Sequence, residues 1–301
     1  MPATSEREEP FVTIVTPCLN AERFLEQTIL SVLDQDYPRI EYIVMDGGSS
    51  DGTLDILRKY ERVLQWQSAS DNGTADAINR GFARAEGDIL GFLNADDLYR
   101  PCAISTAVGH LREDPGLACV YGDAWWIDEN GASIAAYPVR DFDRALLEKE
   151  CFICQPASLF RRKPFENIGG LDPSLHLTFD YDFWLRLTRT YAMRRIDATL
   201  ADSRMHRANK TLGQRGDVFR ETFKVLQRNC GYVPFDWIYS YLNYQADARD
   251  QFFEPMKPSV LRYLESLPVG LWANPSTMSR YIFEWARVMS LAGLRRRLQS
   301  Q

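Results

Sequence analysis

The stretch Asn94-Ala95-Asp96-Asp97 puts two adjacent carboxylates at the exit of an apolar run, Ile89-Leu90-Gly91-Phe92-Leu93. An apolar run without alternation reads as a strand buried on both faces. Carboxylates side by side repel and resist ionising together. A divalent cation removes that cost, because Mg²⁺ or Mn²⁺ takes oxygen ligands and keeps room for substrate phosphates. From these residues alone, a helix N-cap at Asp96 or Asp97 serves equally well. Two more acids stand in comparable places. Asp46 ends the run at 40–45 and opens Asp46-Gly47-Gly48-Ser49-Ser50-Asp51-Gly52, and Asp71 opens Asp71-Asn72-Gly73 after the run at 63–67. Any one of them could cap a helix. Three at successive strand exits fit better with a parallel sheet, whose strand ends converge on the edge where ligands bind.

The elements that must position these acids follow from periodicity. Strands are expected at 11–16, 40–45, 63–67 and 89–93, and helices at 20–33, 53–60, 74–85 and about 101–113. Asn20 is the expected N-cap of the first helix, and Phe24, Leu25, Thr28, Ile29, Val32 and Leu33 share its apolar face. This alternation implies a mostly parallel α/β sheet flanked by helices, with right-handed crossovers. Residues 118–121 and 124–127 are β-like, with a hairpin turn at Asp128-Glu129-Asn130-Gly131. Residues 179–187 begin a helix with acids in its first turn, and 194–196 and 201–206 are strand-like. Helices at 217–229, 259–267 and 277–298 then form a C-terminal appendage. Its aromatic stripe suits a core or a dimer interface better than a cofactor site.

Composition narrows the function classes. The chain has 301 residues, 45% hydrophobic and 25% charged, as in an ordinary globular protein. A net charge of −6 argues against a nucleic-acid partner. No apolar stretch approaches the roughly 20 residues that span a bilayer. The polar, acidic first residues resemble neither a signal nor a transit peptide. Six cysteines in this length make no disulfide framework, and Cys151-Phe152-Ile153-Cys154 is a single CxxC without a second pair. These features lead to an expected reducing, cytoplasmic setting.

Several blocks in order resemble the inverting, non-processive family 2 glycosyltransferases of the GT-A fold. They are VTIVTPCLNAERFLEQTILSVLDQDYP, EYIVMDGGSSDGT, DNGTADAINRG, GDILGFLNADD, QPASLFRR, IGGLDPSL and FDYDFWLRL. The resemblance covers roughly residues 11–210. It implies a GT-A domain at 11–212, preceded by a flexible N-terminus at 1–10 and followed, outside the resemblance, by the helical region at 213–301. Within the domain, a nucleotide-binding half covers about 11–100 and an acceptor half about 101–212. Thr16 and Pro17 would lie against the base, and Asp46 would accept its imide N–H. Asp71 and Asp76 would meet ribose or sugar hydroxyls. Asn94-Ala95-Asp96 stands at the DxD motif, with Asn94 toward the ribose and Asp96 as metal ligand. His206 matches a late histidine that approaches the metal and diphosphate. Asp180 matches the catalytic base, with Asp182 as a rival two positions on.

The resemblance thus implies Mn²⁺- or Mg²⁺-dependent transfer of one sugar from a UDP- or dTDP-type donor to a saccharide or lipid-linked hydroxyl. Polysaccharide, cell-envelope or glycolipid assembly would be the setting. Three departures stand out: Asn94 for the first Asp of DxD, Phe179 for a Glu before the base, and Ile78 for an Arg after the Gly-rich turn. The processive members' Gln-x-x-Arg-Trp motif is absent. Two rivals are a non-catalytic nucleotide-sugar-binding module and a nucleotidyltransferase, although the Gly-rich basic loop of the latter is missing at Pro17-Cys18-Leu19-Asn20. Arg295-Arg296-Arg297 raises peripheral contact with the inner membrane face, and the preceding helices raise a homodimer.

Overall fold

A computed structural model of the chain describes residues 9–206, 209–247 and 258–289. The chain divides into two compact units, Met1–Phe142 with Phe152–His206, and Asp143–Cys151 with Arg207–Gln301. The division falls at His206 rather than 212, and residues 143–151 join the helical unit. Most of the expected N-terminal segment, 1–10, lies outside the described residues, as does everything after 289, including Arg295–Arg297.

The first unit is built on one sheet. Its strands are β1 (Val12–Cys18), β2 (Ile40–Asp46), β3 (Gln65–Ser68), β4 (Ile89–Phe92), β5 (Leu98–Tyr99), β6 (Leu117–Ile127), β7 (Ser133–Ala136), β8 (Ser158–Arg161) and β9 (Ala192–Arg204). The order is β3-β2-β1-β4-β8-β6-β9-β5, with β7 paired to β6. β3, β2, β1 and β4 are mutually parallel, as the alternation of strands and helices predicts. β8 runs antiparallel to β4 and β6, so the sheet is mixed, and β9 runs parallel to β6. The runs read as separate strands at 118–121 and 124–127 form one strand. So do those at 194–196 and 201–206.

The first unit's helices are α1 (Leu25–Leu33), α2 (Thr53–Tyr60), α3 (Thr74–Phe82) and α4 (Ala103–Glu113), while α5 (Arg144–Leu147) belongs to the second unit and α6 (Arg162–Asn167) and α7 (Phe179–Leu187) return to the first. Side chains alternate across a strand. Val12 and Ile14 therefore join Ile29, Val32, Leu57, Ala107 and Leu111 in one core layer. On the other face a would-be Cβ on Gly81 of α3 would lie 2.6 Å from Val15. There the rings of Phe82, Phe92, Phe160, Phe165, Phe183 and Trp184 interlock, with Phe82–Phe165 at 5.0 Å and Phe160–Phe183 at 4.9 Å. Each such pair adds about 0.5–1.5 kcal/mol beyond area burial.

Asn20 does not cap α1. It adopts φ 50°, and its Oδ1 accepts from the Ser50 N–H at 2.9 Å, tying the β1 exit to the β2 exit. Helix α1 starts at Leu25, with Phe24 in the cap position and no side-chain cap. Helix α3 stops at Phe82, three residues before its expected end.

The second unit adds α8 (Lys210–Gly213), α9 (Arg215–Cys230), α10 (Phe235–Asp247), α11 (Val260–Ala273) and α12 (Met278–Met289). Helix α10 was not expected from the sequence. Asn274, at the C-terminal cap of α11, is fully buried, accepts from the Val233 N–H at 2.8 Å and donates to the carbonyls of Val233 and Gly270. Gly270 leaves room for the Tyr281 ring, whose Cζ would lie 1.9 Å from a Cβ there. No helix among the described residues is long and apolar enough to cross a membrane.

Candidate active site

The C-terminal tips of β3, β2, β1 and β4 lie side by side. Cys18 is level with Asp46, Asp46 with Ser68, and Val15 with Phe92. The Leu93 N–H donates to the Val15 carbonyl at 3.0 Å, which carries the β4 exit up beside Thr16 and Pro17. The acids expected at these exits therefore do share one edge.

The turn after β4 separates its two carboxylates. Asp97 points inward and is 3% exposed, while the Asp96 side chain is 25% exposed. The Asp97 carboxylate accepts from the Arg204 N–H at 2.9 Å and from Asn94 Nδ2 at 3.1 Å. Burial, then the charge of Asp96, pushes Asp97 up to about 8. The two adjacent carboxylates therefore ionise unequally, the buried one less readily than the exposed one.

β9 brings the distant partner. β5, which follows the turn directly, pairs with β9, Leu98 opposite Asp202 and Tyr99 opposite Ala201. That register places Arg204 and His206 against the turn. His206 Nε2 lies 2.9 Å from Asp96 Oδ2, across 110 residues of sequence. The imidazole sits 5.0 Å from the Phe24 ring. A carboxylate oxygen and an imidazole nitrogen meeting at a partly exposed edge suit Mn²⁺ or Mg²⁺ held by few protein donors and completed by water and phosphate. No group of three or more His, Cys, Asp or Glu side chains that could hold a metal occurs among the described residues.

Two residues the sequence reading passed over hold this turn. Arg204 is fully buried. Its Nε donates to the Asp96 carbonyl at 2.9 Å, Nη1 to the carbonyls of Asp128 and Glu129, and Nη2 to Gln27 Oε1 at 2.8 Å, and it lies 4.6 Å from the Phe24 ring centre. Burial lowers its pKa, opposed by Asp96, Asp97 and Asp128. Gln155, in a single 3-10 turn at Gln155–Ala157, donates to the Phe92 carbonyl at 2.6 Å. A charged residue inside the buried end of β9 was the one available signal for Arg204. No pattern in the sequence marks Gln155.

The nucleotide-side candidates are more engaged than the sequence suggests. Thr16 and Pro17 are buried, and Thr16 Oγ1 lies 3.0 Å from the Tyr42 hydroxyl. They offer backbone at the strand tip, while Leu19 just beyond them is 61% exposed. Asp46 binds its own turn. It accepts from the N–H groups of Gly48 and Ser49, from Ser49 Oγ, and from Ser68 Oγ at 2.5 Å. Burial would raise its pKa, but the Ser49 and Ser68 hydrogen bonds outweigh it and hold it low. A base N–H would have to compete with these donors. Asp71 accepts from the Gly73 N–H at 2.8 Å, and its Oδ2 would lie 2.8 Å from a Cβ on Gly47, so a side chain there would have to displace the carboxylate. Asp76 accepts from the Asn72 N–H and pairs with Arg80 at 2.7 Å.

Asp180 opens α7, where its Oδ1 accepts from the Tyr181 N–H at 2.8 Å. The preceding ring, Phe179, lies 6.1 Å from Phe92 on β4, which places the start of α7 by the same strand. Asp182 is fully buried and paired with Arg186 at 2.6 Å, and Arg186 also holds the carbonyls of Ile168 and Gly170. Asp182 therefore fixes the loop before α7. The loop also reaches α3 and the turn before it, since Asn79 and Leu171 exchange two hydrogen bonds and His176 Nδ1 would lie 3.0 Å from a Cβ on Gly73.

The sequence model described as glycosyl transferase family 2 matches residues 13–169. The chain belongs to that family. A PGL/p-HBAD biosynthesis glycosyltransferase of Mycobacterium bovis is 33% identical to this family 2 chain over 183 residues, 59% of this chain and 69% of the relative. Chondroitin synthase of Escherichia coli is 27% identical over 225 residues, 73% of this chain. The chain spans only 32% of that synthase, and 34% of an uncharacterized glycosyltransferase of Rickettsia felis. Among solved structures, S. aureus TarS in complex with UDP-GlcNAc superposes with a TM-score of 0.62 at 15% identity, covering 90% of this chain and 83% of that one. A mannosyltransferase of Pyrobaculum calidifontis in complex with GDP-Man and Mn²⁺ gives 0.59 at 18% identity, covering 98% and 80%. These likenesses establish the GT-A fold for this family 2 chain, with a helical C-terminal region.

Proposed function

We propose that this family 2 chain transfers a single sugar, with inversion, from a UDP- or dTDP-type nucleotide sugar to an acceptor hydroxyl. The observation that carries the reading is the 2.9 Å meeting of Asp96 and His206 at the edge formed by four parallel strand tips. Asp96 and His206 would hold Mn²⁺ or Mg²⁺, which supplies a positive charge for the diphosphate when bound. Asn94 and Ala95 would lie toward the ribose. The base would rest on exposed Leu19 and the strand-tip backbone of Thr16 and Pro17, with the Asp46 turn behind it. Asp71 and Asp76 would border the sugar and ribose hydroxyls.

Asp180 takes the proton from the acceptor hydroxyl. The acceptor oxygen forms its bond to the anomeric carbon as the carbon–oxygen bond to the diphosphate breaks. The bonding pair leaves with the nucleoside diphosphate. No covalent enzyme intermediate is needed, so catalysis rests on positioning and on charge placed in advance. The chondroitin synthase relative supports a saccharide acceptor, and a lipid-linked one suits the same chemistry. Polysaccharide, cell-envelope or glycolipid assembly in the cytoplasm is the setting we assign.

The test is sugar release or transfer from UDP- and dTDP-sugars with Mn²⁺. Asp96→Ala should cost about 10³-fold in turnover, the scale of a lost electrostatic contact at a transition state. Asp180→Asn should cost about 10²–10⁴-fold in transfer. Slow hydrolysis should survive it, because water can attack without that base. Donor binding without any turnover in the unaltered chain would instead support a nucleotide-sugar-binding module.

A further inference from the structure

Asparagine and glutamine amides have a donor end and an acceptor end, so a relay of them has one direction once its terminus is fixed. At the β4 exit that terminus is a backbone carbonyl. β8 pairs with β4 only at Ile89 and Leu90, so the Phe92 carbonyl lies past the ladder. It can only accept, and Gln155 Nε2 donates to it at 2.6 Å. That turns Gln155 Oε1 toward the Asn94–Asp97 turn, where it accepts from Asn94 Nδ2 in a longer contact of 3.4 Å. The same nitrogen also donates to Asp97 Oδ2 at 3.1 Å. The relay ends on Asp97, whose other oxygen accepts the Arg204 N–H. Gln155 and Asp97 are buried, whereas Asn94 is half-buried.

This direction decides what residue 94 can be. An aspartate there, as in the family's DxD signature, would set a carboxylate against two acceptors, Gln155 Oε1 and Asp97 Oδ2. Asparagine turns a donor to both of them instead. Its amide is planar, so Oδ1 then points away from both buried partners. No hydrogen bond among the described residues reaches that oxygen. It is the acceptor that the turn offers to a ligand hydroxyl.

We propose that Gln155 is a positioning residue for the donor: by fixing the Asn94 amide it aims Asn94 Oδ1 at a ribose hydroxyl, and it makes asparagine rather than aspartate the working residue at position 94. The proposal rests on the nucleotide-sugar reading of the first unit. A ribose contact is held alike in the bound donor and in the transition state, so its loss falls on donor binding and not on the chemical step.

The experiment compares the unaltered full chain with Gln155→Met, Asn94→Asp, and Asn94→Asp combined with Asp97→Asn. It reads calorimetric affinity for UDP and dTDP with Mn²⁺, donor KM and kcat, and the urea midpoint. Gln155→Met keeps the volume and drops both amide ends. It should raise donor KM and the nucleotide Kd about tenfold, with kcat within about twofold. Asn94→Asp should weaken nucleotide binding about tenfold and lower the urea midpoint, although it restores the family's signature. The combined exchange puts the donor on the other side of the same contact and should recover part of that midpoint. Asn94→Asp binding as tightly as the unaltered chain overturns the proposal. So does Gln155→Met lowering kcat with KM unchanged, and so does a combined exchange that recovers nothing. If the unaltered chain binds neither nucleotide, the transferase reading fails by itself. The urea midpoints then judge the relay, and Asn94→Asp unfolding at the unaltered midpoint overturns it.

Discussion

Arg204 in the first unit and Asn274 in the second are both fully buried polar side chains that clamp backbone from distant segments. Asn274 does it with a neutral amide, holding Val233 and Gly270. Arg204 does it with a cation, holding the carbonyls of Asp96, Asp128 and Glu129. Burying a charge costs several kcal/mol more than burying an amide. A clamp alone would call for the cheaper group. The cation is justified by its neighbours, since Asp96 and Asp97 both favour it electrostatically. The difference separates a joint that only holds the fold from one that also sets the charge around the Asp96–Asp97 turn.

Three substitutions would break or sharpen this contrast. Arg204→Ala should be the most damaging, costing about 3–5 kcal/mol in urea unfolding, because it strands buried acceptors and removes a charge facing two acids. A loss under about 1 kcal/mol would mean the guanidinium is an ordinary tether. Asn274→Ala should cost about 2 kcal/mol, the penalty for leaving the Val233 N–H and carbonyl unpaired. Because nothing at Asn274 titrates, its penalty should be equal at pH 7 and pH 4. Asp46→Asn should cost about 1–2 kcal/mol at pH 7, since an amide cannot accept at both of its positions. This third penalty should depend on pH. The folded pKa of Asp46 lies below the ordinary 3.8, so its stabilisation is present above that value and fades as pH falls through the lowered folded value. The Asp46→Asn penalty should therefore shrink below about pH 4 in acid unfolding, and constancy there would refute the assignment.

Strands β1, β2 and β4 and helix α2 were legible because buried runs, glycine turns and amphipathic spacing all point the same way there. Asn20 was misread because a residue type suited to caps is equally suited to the left-handed conformation, and the choice was settled by Ser50, 30 residues on. β9 read as two strands because Asp197 and its neighbours interrupt the apolar pattern where the strand faces solvent. Helix α10 was missed because its Trp, Ile and Tyr residues favour strands by local preference, and packing against α11 overrides that. At the site, the acids on the strand tips were visible, and the resemblance supplied His206. Arg204 and Gln155 were not found, because a buried side chain that serves backbone carbonyls follows no periodicity. The inward turn of Asp97 and the outward turn of Asp96 likewise depend on β9, which lies more than 90 residues downstream.

The pairing of β5 with β9 has a consequence for synthesis. A chain emerging from its N-terminus completes β1 to β4 early, and with them the Asn94–Asp97 turn. Until residue 206 follows, the Asp97 carboxylate lacks its Arg204 donor and Asp96 lacks the imidazole. A nascent chain, or a fragment cut at residue 169 where the family match ends, would carry the recognisable signature without the residues that complete the turn.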